Sequence, residues 1–268
     1  MQDRLSRAWR PWRLAPAVLA LALFVPSVRA QETKAKTDDA PATDKANTAT
    51  VPTPKEGSWM KRHEAFLDRA KEGNLDLVFL GDSITAGWGG SGKAVWERHY
   101  GPRNAANFGI GGDKTENVLW RLKNGEIDGI RPKAVVLMIG TNNSRANSAG
   151  EIAEGIEAIV KTLREALPKT KVLLLGVFPR GEKPGPAREK LAEVNARVGK
   201  LDDGQTVTYL DISRAFLNED GTISKEVMPD FLHLSRKGYT LWADAIEPTL
   251  WKMVDEPSKS EGGGDKAN

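Results

Sequence analysis

The sequence predicts a single α/β domain in which a parallel β-sheet lies between two layers of helices. Short apolar runs alternate with amphipathic stretches along the chain, which is the order of strands and helices in a parallel sheet. These runs are apolar throughout rather than at every second residue, as expected for strands covered on both faces. The 268 residues are 40% hydrophobic, which suffices for one large core.

The apolar runs and the amphipathic stretches define ten predicted elements. The expected strands are Leu75–Leu80, Asn104–Phe108, Ala134–Ile139, Val172–Val177 and Val207–Leu210, of which the second has the weakest pattern. The expected helices are Trp59–Ala70, Asp113–Leu122, Ala149–Leu167, Pro186–Val198 and Arg236–Val254. Ligands of such sheets bind beyond the carboxyl ends of the strands, so the polar residues that follow each strand are the candidate site.

Residues 1–30 resemble an export signal. Five arginines and one acid accompany an apolar run, Leu14–Val25, that is too short for the roughly 20 residues of a membrane span. The sequence therefore predicts a secreted or periplasmic protein with no membrane span after cleavage. An uncleaved short anchor is the alternative.

The remaining chain divides into a domain with polar extensions. Residues 31–55 contain a single large apolar residue, Val51, and are expected to form a disordered spacer. Residues 255–268 are expected to form a disordered tail. The catalytic domain is then predicted over residues 56–254.

Composition excludes several classes of function. The chain has no cysteine, which excludes disulfides, thiolate nucleophiles and Cys-ligated metals. Its three histidines make a multi-histidine metal site an unfavourable reading. The net charge of +3 becomes −1 without residues 1–30, so neither nucleic acid nor an anionic membrane is an expected partner.

Three candidate groups follow the first three strands. Ser83, in the run Gly-Asp-Ser, would begin a helix after the first strand, where it is either a nucleophile or an ordinary N-cap. Gly109, Gly111 and Gly112 would let backbone N–H groups approach a bound group, or form a simple turn. The run Gly140–Ser144 offers an asparagine amide that either donates to an oxyanion or caps a turn.

An acid–base pair is expected near the end of the domain. Asp230 and His233 are three residues apart, so the carboxylate can reach one imidazole nitrogen while the other faces outward as a base. Asp211, at the end of a strand, is the second-ranked partner for His233. His63 is expected on a solvated helix face, and His99 follows no strand end.

A nucleophile, N–H donors, an amide and an acid–base pair together are the groups that acyl transfer requires. G-x-S-x-G is absent, which disfavours an α/β-hydrolase nucleophile elbow. The chain resembles the SGNH hydrolases, also called the GDSL esterase family, and within them the catalytic subunits of intracellular platelet-activating-factor acetylhydrolase. The stretches that carry the resemblance are Asn107–Asp113, Val118–Glu126, Gly140–Asn143, Gly155–Val160, Pro179–Pro184 and Asp230–Leu234.

The resemblance implies a flavodoxin-like sheet of five parallel strands, no metal and no organic cofactor. It implies Ser83 as nucleophile, His233 as base and Asp230 as its orienting partner. It also implies an oxyanion hole made by the N–H groups of Ser83 and Gly112 and by the side chain of Asn142. Two further residues, Ile84 and Leu232, would lie near a short acyl group such as acetyl.

The predicted function is therefore hydrolysis of a small-molecule or saccharide ester that releases a short acyl group. A lysophospholipase or thioesterase acting on longer chains, and a non-catalytic carbohydrate-binding module, are the alternatives. The run Pro179–Pro186 would form a substrate rim, a contact in a homodimer or a solvated connector. Trp88 would either pack in the core or line the entrance to the site.

Overall fold

A computed structural model describes residues 46–254, and its five parallel strands form one sheet in the order β2-β1-β3-β4-β5. The strands are β1 (Leu77–Gly81), β2 (Ala105–Gly109), β3 (Ala134–Met138), β4 (Lys171–Leu175) and β5 (Val207–Leu210). Gly81 pairs with Gly109 on one side and with Met138 on the other, so three strands end at one edge. This topology confirms the predicted three-layer, flavodoxin-like fold.

Helices cover both faces of the sheet. Within residues 46–254 they are α1 (Ser58–Lys71), α2 (Ser83–Ala86), α3 (Lys93–His99), α4 (Thr115–Lys123), α5 (Ala149–Ala166), α6 (Pro186–Val198) and α7 (Arg236–Val254). The sequence analysis did not predict α3. α5 begins with a capping box, in which Ser148 and Glu151 bond to each other's backbone N–H groups.

Successive residues of each strand enter different cores. Val78 and Leu80 pack with α1, α4, α5 and α6, whereas Leu77 and Phe79 pack with α3 and α7. Because both faces are covered, every residue of β1 and β3 is buried. This burial explains why the strand sequences show no alternation of apolar and polar residues.

The N-terminal boundary of the domain lies earlier than the sequence predicts. Residues 47–55, here called the strap, were expected within the disordered spacer but lie against the domain. Ala49 is buried, its carbonyl accepts a bond from Thr115 Oγ1 at 2.8 Å, and Asn117 Nδ2 donates to the Thr53 carbonyl at 2.8 Å. Hydrogen bonds hold the strap, and a count of apolar residues does not register them.

The predicted signal peptide (1–30), most of the predicted spacer and the predicted tail (255–268) lie outside the described residues. In the described part of the chain, none of the helices has the length and apolar character needed to cross a bilayer.

Candidate active site

A sharp turn after β1 presents Ser83 at the edge of the sheet. Asp82 caps α2 by accepting the Ile84 N–H at 2.9 Å, and Ser83 is the first residue of that helix. Gly109 of β2 lies directly against α2, where an added Cβ would stand 2.2 Å from the Ala86 nitrogen. Only glycine allows this approach, so β2 sets the position of the turn that carries Ser83.

Ser83, His233 and Asp230 form one chain of hydrogen bonds. Ser83 Oγ lies 2.9 Å from His233 Nε2, and His233 Nδ1 lies 2.7 Å from Asp230 Oδ2. Burial raises the pKa of Asp230, but bonds from the His233 side chain and from two backbone N–H groups outweigh it and leave the pKa below its ordinary value. An ionised carboxylate can only accept, so Nδ1 of the imidazole donates to it and Nε2 of the neutral ring faces Ser83 as an acceptor.

The second oxygen of Asp230 shapes the loop that carries His233. Asp230 Oδ1 accepts the N–H groups of Leu232 at 3.1 Å and His233 at 2.7 Å. Phe231, which lies between Asp230 and Leu232, has a φ of 58°, a left-handed conformation that is uncommon for a residue with a bulky side chain. The Phe231 carbonyl accepts the Gly181 N–H at 2.8 Å, which ties this loop to the loop after β4.

A cavity of about 400 Å³ lies among the loops after β2, β3 and β4, and Gly112, Asn142 and Leu232 are among its lining residues. Asn142 Nδ2 donates to the Asp113 carbonyl at 2.8 Å, which joins the loop after β3 to the loop after β2. Gly112 has a φ of 74°, which favours glycine. Leu232 lines the cavity and directly precedes His233 in the sequence. Hydrogen bonds therefore join Ser83 after β1 to His233 and Asp230 before α7, and they separately join the loop after β2 to the loop after β3.

Two other sequence-predicted contacts are not formed. Ile84 is 1% exposed and packs in the core on the α7 side, so a substrate does not reach it in this structure. Asp211 accepts the Ser213 N–H at 2.8 Å and makes no contact with His233. Trp88 is buried among aromatic rings rather than at an entrance, and His99 lies at the end of α3.

A buried arginine beneath the site connects its loops. The guanidinium of Arg121 donates to the Phe108 carbonyl at 3.1 Å and to the Gly81 carbonyl at 3.4 Å. Its Nε lies 3.0 Å from Asp113 Oδ2, and Nη1 also pairs with Glu126. One side chain thus contacts the end of β1, the end of β2 and the loop after β2.

The sequence analysis missed this role, although a signal was available. Arg121 follows Val118 by three residues and precedes Leu122, so it falls on the apolar face of α4. A charged residue on such a face indicates a buried ion pair.

His63 belongs to the same buried network, which corrects the prediction that it lies on a solvated face. Its Nδ1 lies 3.1 Å from Glu126 Oε2, and its ring packs between Trp59 and Trp120. Trp59 Nε1 donates to Asp113 Oδ1 at 2.6 Å. Polar partners in the loops on either side of α4, together with the ring of Trp120 on α4, make this face of α1 a buried one.

The strap reaches the loop after β2 through Lys55. The Lys55 ammonium donates to the Gly112 carbonyl at 2.6 Å and lies 3.5 Å from Asp113 Oδ1. Burial raises the pKa of Asp113, and Arg121 is the strongest influence in the opposite direction. The segment Gly112–Asp113 is thus held by Lys55 of the strap, by Arg121 of α4 and by the side chain of Asn142.

Asp82 is a buried carboxyl group without a cationic contact. Its Oδ2 has no hydrogen-bond partner among the described residues. Burial raises the pKa of Asp82 to about 7, more than the bond from the Ile84 N–H lowers it, and the nearby Asp113 raises it further. Within residues 46–254, no three His, Asp or Glu side chains are grouped so that they could hold a metal ion.

Comparison with known proteins gives a family and a set of relatives. The model of the GDSL-like lipase/acylhydrolase family matches residues 79–241. Platelet-activating factor acetylhydrolase IB subunit alpha1 of Bos taurus is 40% identical over 223 residues, which cover 81% of this chain and 94% of that protein. The alpha2 subunit of Rattus norvegicus is 42% identical over 199 residues, which cover 74% of this chain and 86% of that protein.

Solved structures share the fold at lower identity. A GDSL-like lipase from Bacteroides thetaiotaomicron has a TM-score of 0.58 at 20% identity and covers 72% of this chain and 97% of its own. A variant of an acetylxylan esterase from Geobacillus stearothermophilus has a TM-score of 0.54 at 18% identity, with 69% and 96% covered.

The relatives overturn the predicted location. The sequence analysis expected a secreted or periplasmic protein from the composition of residues 1–30. The acetylhydrolase subunits that match at about 40% identity belong to an intracellular enzyme, which contradicts the expected secreted or periplasmic location.

Proposed function

This chain belongs to the GDSL-like lipase/acylhydrolase family and is a carboxylic ester hydrolase, and we propose that it removes short acyl groups from esters through a covalent acyl-enzyme. The observation that carries the proposal is the hydrogen-bonded chain from Ser83 Oγ through His233 to Asp230. In this proposal the ester is that of a small alcohol or a sugar.

Acylation begins with the proton between Ser83 and His233. Nε2 of neutral His233 takes the hydroxyl proton as Ser83 Oγ attacks the ester carbonyl carbon. The ionised Asp230 stabilises the imidazolium that forms. The tetrahedral intermediate then collapses, the bond from carbon to the alcohol oxygen breaks, and Nε2 returns the proton to the departing alcohol.

The negative oxygen of the intermediate needs donors in place before the reaction. Ser83 lies at the first position of α2, where a backbone N–H has no acceptor within the helix. Gly112 and Asn142 line the cavity, and Asn142 holds its position with one amide hydrogen while its second is available. These three groups are the proposed oxyanion hole.

Deacylation repeats the same steps with water. His233 takes a proton from water, the hydroxide oxygen attacks the acyl carbon, and Ser83 Oγ leaves with the proton that Nε2 returns. The net reaction is ester plus water to acid plus alcohol, and it consumes no other reactant.

A short acyl group agrees best with the cavity. Its volume of about 400 Å³ is near the lower end of ligand sites, and Leu232 is the large apolar residue among those that line it. With Ile84 inside the core, we propose Leu232 alone as the apolar contact. A series of p-nitrophenyl esters from acetate to decanoate tests this point. The highest kcat/KM at decanoate would favour the lysophospholipase or thioesterase alternative.

The nucleophile is tested with paired serine variants. Ser83→Ala should lower kcat toward p-nitrophenyl acetate by at least about 10³-fold. Ser91→Ala, which removes an exposed serine on a loop, is the matched control and should keep wild-type turnover. Wild-type activity in Ser83→Ala would disprove the assignment.

The proposed oxyanion hole needs a test that separates it from the nucleophile. Asn142→Ala should lower kcat by about 10²–10³-fold, since one amide donor to the intermediate is lost. The variant should still be labelled at Ser83 by a fluorophosphonate probe. Unchanged turnover in Asn142→Ala would remove this residue from the proposed oxyanion hole.

A further inference from the structure

The cavity lined by Gly112, Asn142 and Leu232 carries an excess of positive charge. Lys114, Arg145 and Arg180 all line it, and no aspartate or glutamate is among its lining residues. Lys114 stands just before α4, Arg145 ends the short 3-10 helix after β3, and Arg180 follows β4. Three separate loops thus each place one cationic side chain at the wall of this cavity, where the ester is proposed to bind.

Arg180 and Arg145 are not neutralised by carboxylates of the described domain. Arg180 Nη1 donates to the carbonyl and to the hydroxyl of Thr141, each at 3.2 Å, and both acceptors are uncharged. Arg145 forms no ion pair with any residue between 46 and 254. Both guanidinium groups therefore keep their positive charge available to a bound molecule.

Lys114 differs because it has a carboxylate neighbour. Its ammonium lies 3.6 Å from Glu116 Oε1. Glu116 already accepts a bond from Asn143 Nδ2 at 2.8 Å through its other oxygen. Its negative charge is therefore shared with the polar groups beneath the cavity, and it offsets only one of the three cations.

The cations lie near enough to influence one another. Burial lowers the pKa of Arg180, and the positive charge of Arg145 lowers it further, while Asp82 and Asp230 act in the opposite direction. Asp230 is engaged with His233, and Asp82 is buried with a pKa of about 7. An anion bound in the cavity would relieve the repulsion between the two guanidinium groups.

We propose that the natural ester carries an anionic group, a carboxylate or a phosphate, on its alcohol portion and that Arg145, Arg180 and Lys114 bind this group. The inference rests on the proposed function, because an acetyl group has no position for a charge and the anion must therefore belong to the alcohol. Planar guanidinium groups suit both anions, since each anion offers two oxygens to a pair of N–H donors.

Matched aryl acetates test the preference. 4-Acetoxybenzoate and 4-acetoxyphenyl phosphate carry the two candidate anions, methyl 4-acetoxybenzoate is neutral, and a 4-acetoxyphenyl trimethylammonium salt is cationic. With each kcat/KM divided by the rate of hydroxide hydrolysis, an anionic ester should exceed the neutral one by about tenfold at low salt. Comparison of kcat/KM for the carboxylate ester and the phosphate ester shows which anion the cavity prefers.

Variants that remove a positive charge identify the residues responsible for the preference for anionic esters. In Arg145→Gln and in Lys114→Gln, the ratio of anionic to neutral kcat/KM should fall about threefold to tenfold. Lys161→Gln, which removes an exposed cation of α5, is the control and should keep the wild-type ratio. Raising the salt from 0.05 to 0.5 M should lower the wild-type ratio as well.

Failure of this inference and failure of the proposed function look different. A wild-type ratio of one or less, or a ratio that neither variant changes, overturns the anionic substrate while leaving the esterase in place. If no ester is turned over and Ser83 is not labelled, the proposed function fails. Calorimetry with Ser83→Ala then decides this inference alone, since 4-hydroxybenzoate should bind more tightly than its methyl ester and equal binding overturns it.

Discussion

Two histidines of this chain each bond to one carboxylate, but they lie in different surroundings. The side chains of His63 and Glu126 are 3% and 0% exposed, and an arginine and two tryptophans surround them. Those of His233 and Asp230 are 46% and 56% exposed, and the free imidazole nitrogen faces a serine hydroxyl. The same pair of groups therefore serves packing in one region and, in the proposed mechanism, proton transfer in the other, depending on which group contacts the second imidazole nitrogen.

The largest expected effect separates the two histidines. His233→Ala should lower kcat for p-nitrophenyl acetate by about 10⁴-fold with little change in stability, because a half-exposed ring is lost. His63→Ala should lower the free energy of unfolding by about 2–4 kcal/mol, because it leaves a cavity and an unpaired carboxylate. Steady-state kinetics and urea unfolding of both variants measure the contrast, and equal losses of activity in the folded proteins would contradict it.

The stability of the buried region around His63 and Glu126 depends most on Arg121. Arg121→Met leaves Asp113 and Glu126 without their cation and should cost about 3–5 kcal/mol of unfolding free energy. The matched control is Arg197→Met in the exposed pair with Glu193 on α6, which should cost about 0.5 kcal/mol or less. Denaturant unfolding of the two variants provides the test, and similar costs would mean that burial does not distinguish these ion pairs.

Asp82 sharpens the comparison because it is a buried carboxyl group without a cation. Burial raises its pKa to about 7, so the folded protein binds its proton more tightly than the unfolded chain does. Its contribution to stability is therefore full below pH 4 and is lost as the pH rises to about 7. Asp82→Asn keeps the oxygen that caps α2 and should not show this loss.

Unfolding free energies at pH 5 and pH 8 test this prediction. Relative to wild type, Asp82→Asn should be more stable at pH 8 than at pH 5 by on the order of 2–3 kcal/mol. Asp68→Asn, in an exposed pair with Lys71, is the control and should shift both values alike. The same pH dependence in Asp82→Asn and wild type would contradict the assignment.

The smallest expected effect concerns the strap. Lys55 is 36% exposed and supports the Gly112 carbonyl from outside, so Lys55→Met should lower kcat by about threefold to tenfold with unchanged KM. Lys71→Met, at an exposed position of α1, serves as the control. A change in KM alone would show that Lys55 contacts substrate rather than the loop.

The sequence predicted the sheet and the order of its polar loops because both follow from local patterns. Continuous apolar runs marked strands buried on both faces, and the carboxyl ends of those strands located Ser83, Asn142 and the glycines. Asp230 and His233 were found by their spacing of three residues. The structure joins Ser83, His233 and Asp230 by hydrogen bonds, while their roles and those of Asn142 and the glycines remain predictions.

What the sequence did not predict depends on contacts between distant segments. The strap is held by hydrogen bonds to Thr115 and Asn117 of α4 and by a bond from Asn47 Nδ2 to the Glu151 carbonyl of α5, which a count of apolar residues cannot register. Burial of His63 depends on Glu126, 63 residues away. The cationic cavity arises only when the loops after β2, β3 and β4 meet, so the charges of Lys114, Arg145 and Arg180 were not seen as one group.

The division of labour within Asp230 links catalytic chemistry to backbone shape. One oxygen fixes the left-handed bend at Phe231 and the other orients the imidazole. A glutamate has one more methylene group and cannot reach both sets of donors from the same backbone position. A substitution of Asp230 that changes the partner of the imidazole therefore also changes the hydrogen bonds that shape the loop carrying His233.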